Sequence, residues 1–183
     1  MDQFSLERVS KSGAKFDYEK GKWFNHKYLQ SKPNDEIADI FSRILVEKDI
    51  VEDSDKLIKI VSLVKERANF VNDLWNQSSF FFVAPTEYDA KTVQKRWKAE
   101  TPTQMTELIE VLDAIDDFST ENTEEIIKDW ITAKEYNLGG IMNAFRLSIV
   151  GEPKGPHLFD IIAIIGKEET IARLKKTIAI IHI

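Results

Sequence analysis

The sequence predicts an all-α protein built as two consecutive helical-bundle subdomains. Three observations point there. Apolar residues recur at helical spacing along most of the chain. Glycine and proline are scarce, 7 and 5 among 183 residues, which leaves few of the tight turns a multi-stranded sheet needs. One short aromatic run, closed by Pro85, interrupts the helical pattern and marks a seam between the two halves.

Taken in order, "DYEKGKWFNHKYLQ" sets Trp23, Phe24, Lys27 and Tyr28 in an aromatic stripe, a pattern more often core than surface. "PNDEIADIFSRILVEKD" opens with proline and acidic residues, a sound helix start, and continues with Ile37, Ile40, Phe41, Ile44 and Leu45. "SDKLIKIVSLVKERANFVNDLWNQ" predicts one long helix, with Ser54 as its cap and a face of Leu57, Ile60, Val61, Val64, Ala68, Val71 and Trp75. "SSFFFVAPTEYD" then reads as a buried connection or a brief extended piece. These segments form the first subdomain, residues 17–85, and the rest, 86–183, form the second. Its helices are expected in "AKTVQKRWKA", "TPTQMTELIEVLDAIDDF", "STENTEEIIKDWITAKEY", "GGIMNAFRLSIVG", "HLFDIIAIIG" and "KEETIARLKKTIAIIHI". The fourth and fifth each close on a glycine suited to a helix C-terminus.

Several function classes lose support from composition. No apolar run approaches the roughly 20 residues that cross a bilayer, so no membrane is expected as partner. "MDQF" begins no secretory signal, and the absence of cysteine fits a cytoplasmic home. With no cysteine and only His26, His157 and His182, neither a disulfide framework nor a metal cluster is expected. No His–carboxylate pair or nucleophile signature suggests an independent enzyme. The net charge of −6 argues against a generic DNA or RNA sponge but leaves room for a local basic face. Lys91, Lys95, Arg96 and Lys98 make one candidate cluster; Lys154, Lys167, Arg173, Lys175 and Lys176 make another. Each has the alternative reading of a solvated helix surface.

"ERVSKSGAKFD" poses a separate question, because a lysine between serines beside Gly13 imitates a phosphate loop. The established fingerprint needs a preceding strand and two glycines, and neither is present, so a polar entry into the first helix competes with it.

The string "MNAFRLSIVGEPKGPHLFDIIAIIGKEETIARLKKTI" resembles the C-terminal end of bacterial-type glutamyl-tRNA synthetases, which are class I aminoacyl-tRNA synthetases. Arg146, Gly151, Gly155, Pro156, Leu158, Phe159, Gly166, Lys167, Glu168 and Arg173 carry the likeness, in order and at matching spacing. "FSLERVSKSGAKFDYEKGKWFNHKYL" is similar to the segment that joins that family's catalytic and anticodon-binding halves, and "TENTEEII" to another of its stretches, with Phe118 in place of the usual tryptophan. The resemblance implies that residues 1–16 are a junction and no phosphate loop, since the family's "KMSKS"-type loop lies earlier, in its catalytic domain. No "HIGH"-like sequence and no glycine-rich strand–helix turn occurs here. ATP and Mg would accordingly belong to a catalytic domain absent from this chain, which would be inactive alone.

By the same resemblance the partner is tRNA(Glu), bound by a monomer through its anticodon, with the catalytic domain of the same polypeptide as neighbour. Splayed anticodon bases are read by stacking and by hydrogen bonds to their edges, and flanking phosphates need lysine or arginine. The residues implied are Arg146 as a forked donor, the Gly155–Pro156 loop with its exposed backbone groups, His157 as a stacking ring and Leu158 packed on a base face; Lys154, from the basic cluster, is a candidate phosphate contact beside them. Ser79, in "QSSFFF", stands where some members carry an arginine that helps read the third base; Asn76 and Gln77 are neighbours able to substitute. A helical protein–protein interaction module, holding a partner helix in an apolar groove, is the alternative.

Overall fold

The structure, a computed structural model, describes residues 17–181. Ten α-helices are found there and no strand: α1 (Tyr18–Ser31), α2 (Asn34–Val46), α3 (Ser54–Val64), α4 (Asp73–Ser78), α5 (Ala90–Arg96), α6 (Thr101–Asp113), α7 (Thr120–Ala133), α8 (Leu138–Val150), α9 (Leu158–Ile165) and α10 (Lys167–Ile180). Single 3-10 turns follow α3 (Lys65–Arg67) and α4 (Ser79–Phe81). The "ERVSKSG" segment lies outside the described residues, apart from its sequel at Asp17.

Short polar side chains start several of these helices. Asp17, Asp53, Asp89 and Asn137 accept the backbone N–H three residues on, from Lys20, Lys56, Thr92 and Gly140. Asp53, not the expected Ser54, therefore caps α3. Gly151 ends α8 in the left-handed region at φ 83°, and its N–H closes the last turn on Leu147 O at 2.8 Å. An added Cβ at Gly151 would lie 2.7 Å from Glu87 O, so the linker between the halves passes too close for any other residue.

The predicted long helix through Trp75 is in fact broken after Val64, and competing hydrogen bonds explain the break. Asp73 Oδ2 accepts the N–H groups of Asn69 and Phe70, both at 3.0 Å. From the other side α1 takes the freed carbonyls: Asn25 donates to Asn69 O, His26 Nδ1 lies 2.8 Å from Ala68 O, and Gln30 donates to Lys65 O at 2.8 Å. Side chains thus offer this backbone better partners than a continued helix would. Pattern alone could not reveal it, because Ala68, Val71 and Trp75 still turn inward from the irregular segment.

That docking also corrects the expectation for the aromatic stripe. α1 attaches through its polar side, leaving Trp23, Phe24 and Tyr28 55%, 56% and 62% exposed. Lys27 lies over the Trp23 ring and Lys32 over that of Tyr28.

α2 packs on α3, and α3 on α4. In the second half α10 lies against α6, α8 and α9, while α5 packs on α8 and α7 on α9. Phe41, Leu45, Ile60, Val64 and Leu74 fill the first half; Met105, Leu108, Leu112, Ile127, Phe145, Phe159, Ile162 and Leu174 fill the second. Full burial of each such side chain is worth about 1.5–3 kcal/mol. The two cores meet where α9 touches the Ser79–Phe81 turn, so one hydrophobic cluster spans both halves. The cleft beside that meeting place is the candidate site.

Candidate nucleic-acid interface

One wall of the cleft belongs to the first half: Arg67 from the 3-10 turn after α3, Asn76 and Gln77 from α4, then Ser79 and Phe80. The other is the end of α8 and the loop after it, contributing Val150, Glu152, Lys154 and Gly155. This hollow holds about 200 Å3. An adjoining, more open one of about 550 Å3 is lined by Arg67, Gln77, Arg146, Pro153, Lys154 and Gly155.

Arg146 is central to this arrangement. It sits on α8 below the loop, and its Nη1 is shielded from solvent yet has no hydrogen-bond partner. Burial, and then the nearby Arg67, push its guanidinium pKa below the usual value. Among the described residues neither arginine pairs with a carboxylate; the acidic group at the rim is Glu152. Two adjacent cations with unspent donors make a site that favours an incoming anion or a base edge rich in acceptors. Gly155 makes the approach possible: it adopts φ 150°, and an added Cβ would stand 3.1 Å from Arg146 Nη1.

The other expected residues divide. Lys154 is exposed on the loop, and Ser79 is half-buried in the facing wall. His157 is exposed and caps the approach to α9, with Nε2 3.5 Å from Glu124 Oε2 and Nδ1 3.6 Å from Asp160 Oδ2. Contrary to the expectation of no His–carboxylate pair, the i,i+3 neighbours His157 and Asp160 form one, and the fold adds Glu124 from α7, which linear spacing concealed. Pro156 is buried. Leu158 is 1% exposed within the core, so its side chain packs against protein and not on a base.

Of the C-terminal basic cluster, Lys154 lines the cleft and Lys175 stays exposed, while the other three are engaged by the fold. Lys167 Nζ donates to the carbonyls at the end of α6, Asp113 O at 3.0 Å and Ile115 O at 2.6 Å. Lys176 Nζ donates to Pro85 O, and Arg173 is buried. These cations serve helix ends and the linker, where unpaired carbonyls need donors. Lys91, Lys95 and Lys98 remain exposed on or beside α5.

Arg67 is the cleft-lining cation that sequence reasoning missed. Its signal was faint: one arginine in "VKERANF", placed on a supposedly continuous helix. Only the break after Val64 turns it into the cleft.

Comparison with known proteins decides the family. The sequence model described as "Anticodon binding domain" matches residues 32–178. The chain belongs to the anticodon-binding domain family. It is 55% identical over 178 residues to the glutamate–tRNA ligase of Phocaeicola vulgatus, covering 97% of this chain and 35% of that protein. Against the glutamate–tRNA ligase of Flavobacterium psychrophilum it is 54% identical over 179 residues, with coverages of 98% and 36%. The crystal structure of a glutamate tRNA ligase from Elizabethkingia meningosepticum, in complex with its amino acid, superposes with a TM-score of 0.88. That match has 44% identity and covers 97% of this chain and 35% of the other. The chain thus spans about 35% of the length of the ligases it matches, and this anticodon-binding domain accounts for the all-helical fold.

Proposed function

We propose that this chain is the part of a glutamate–tRNA ligase that holds the anticodon loop of tRNA(Glu). The observation that carries the proposal is the pair of unpaired guanidiniums, Arg67 from one wall and Arg146 from the other, in two adjoining hollows that the amides of Asn76 and Gln77 also line. Arginine forks suit base edges and phosphates; amides carry both donors and acceptors, as base edges do. Lys154 at the rim supplies a further phosphate contact, and the backbone of the Gly155 loop approaches closely because no side chain intervenes. Ser79, uncharged, adds a hydroxyl to the same wall.

Glutamate activation, with its ATP and Mg, takes place in this proposal on the remainder of the ligase. No step of it is assigned to residues here. The domain acts as a monomer on RNA, in the cytoplasm. No described helix is long and apolar enough to cross a membrane.

The test is a titration with tRNA(Glu) and with the same tRNA carrying a changed anticodon, at low and moderate salt. Binding should weaken steeply with salt, fall when the anticodon changes, and fall again in Arg146→Ala. Equal binding of both tRNAs would sink the reading. A protein-interaction role is favoured by one feature, the apolar hollow of about 420 Å3 lined by Tyr28, Ile40 and Phe70. Partner binding there would barely respond to salt.

A further inference from the structure

The two walls of the cleft come from different halves of the chain, and the meeting of α9 with the Ser79–Phe81 turn is a small contact. Something must hold their separation if the cleft is to measure a base. The buried side chain of Arg173, 2% exposed, lies directly behind them. Its Nη1 donates to Phe80 O at 2.6 Å and to Ile149 O at 2.9 Å, while Nε pairs with Glu169 at 2.7 Å. Phe80 and Val150, the residue after Ile149, both line the cleft.

Both acceptors are carbonyls that ordinary secondary structure leaves unpaired. Ile149 lies in the last turn of α8, where no further helical N–H arrives. Phe80 lies in a 3-10 turn whose closing bonds, from Phe82 and Val83, both go to Ser79 O. One nitrogen therefore satisfies two helix-end carbonyls, one on each wall, with a cation placed where the backbone dipoles favour it. The next residues on the same face of α10 extend the tie. Lys176 donates to Pro85 O at 3.0 Å, and the hydroxyls of Thr177 and Tyr88 lie 3.0 Å apart. α10 touches the cleft nowhere, yet it fastens both walls and the linker between them.

We infer that Arg173 is a positioning residue for anticodon recognition: it sets the spacing of the two cleft walls and thereby the discrimination between anticodons, without touching RNA. The inference rests on the tRNA-binding reading for its consequence but not for its geometry. Arg173 Nη1 makes both contacts from a position one bond farther from the backbone than a lysine ammonium reaches, so a lysine here stops short of the two carbonyls. Loss of the tie leaves the surface cations in place, so non-specific phosphate attraction persists while base selection fails.

The test combines a distance with a specificity. The chain has no native cysteine, so spin labels placed at Asp55 and Asp129 report the spacing of the two halves directly. The unaltered protein should give one narrow distance distribution. Arg173→Met should widen it at least twofold and cut the affinity ratio between correct and changed anticodons at least tenfold, leaving the salt slope unchanged. Glu169→Gln, which keeps both carbonyl contacts, should behave like the parent; widening equal to that of Arg173→Met would overturn the inference. So would a folded Arg173→Met with a narrow distribution or intact discrimination. If circular dichroism finds Arg173→Met unfolded, Arg173→Lys decides instead, with widening supporting the inference and a parent-like width and ratio overturning it. Should the unaltered protein fail to distinguish anticodons, the functional reading falls, and the distance arm still decides whether Arg173 fixes the walls.

Discussion

Arg146 and Arg173 are the same residue type in adjoining helices, yet they stand in opposite conditions. Arg173 is buried with its donors spent on Phe80 O, Ile149 O and Glu169. Arg146 is half-buried with a shielded nitrogen that no protein group receives, and with Arg67 as a like-charged neighbour. A satisfied buried cation stabilises the fold. An unsatisfied one weakens the free protein and gains only when a ligand arrives. Satisfaction of donors, not residue type or helical position, separates the scaffold from the site.

The comparison breaks most visibly at Arg173. Arg173→Met should cost about 3 kcal/mol of stability, because two buried carbonyls lose their donor. Urea unfolding measures this, and a loss below about 1 kcal/mol would mean the carbonyls find other partners. Arg146→Ala should do the reverse, leaving the urea midpoint unchanged or slightly higher while weakening tRNA binding by about 1.5–3 kcal/mol, roughly 10- to 150-fold. A clear stability loss there would place Arg146 with the scaffold.

Gly155→Ala sharpens the contrast from the loop side. The new Cβ meets Arg146 Nη1 at 3.1 Å on a backbone at φ 150°. Strain of about 1–2 kcal/mol is expected, together with weaker RNA binding, since the loop or the arginine must move. Parent-like values in both assays would show that the close approach is not needed.

The smallest effect concerns Asp89, which opens α5 and whose N–H donates to Gly151 O at 2.8 Å. Hydrogen bonds from the Thr92 side chain and backbone lower its carboxyl pKa. A lowered folded-state value means that the stabilisation is fully present above the ordinary carboxylate pKa and is lost as pH falls through the folded one. Asp89→Asn should therefore flatten the acid end of a stability–pH curve, with RNA binding at neutral pH unchanged. An unaltered acid limb would remove Asp89 from the scaffold's electrostatics.

The helices after Pro85 were legible because their signals are local: cap residues, apolar spacing, and Gly151 and Gly166 at helix ends. The resemblance through Arg146 and Gly155, with Lys154 from the basic cluster, likewise brought part of the cleft into view. Arg67 was hidden because its orientation depends on α1 and Asp73 drawing hydrogen bonds away from a segment whose own pattern is helical. Leu158 and Arg173 were misplaced for a related reason. Spacing tells which residues share a face but not which face the neighbouring helix covers.

The sequence by itself determined the helical class, most helix starts and stops, and membership of the anticodon-binding family. These follow from interactions within a few residues, or from identity along the chain. Only the tertiary structure decided which cations are free. A guanidinium's role depends on whether carbonyls or carboxylates from distant segments reach it, and those partners are set by packing, not by neighbours in sequence.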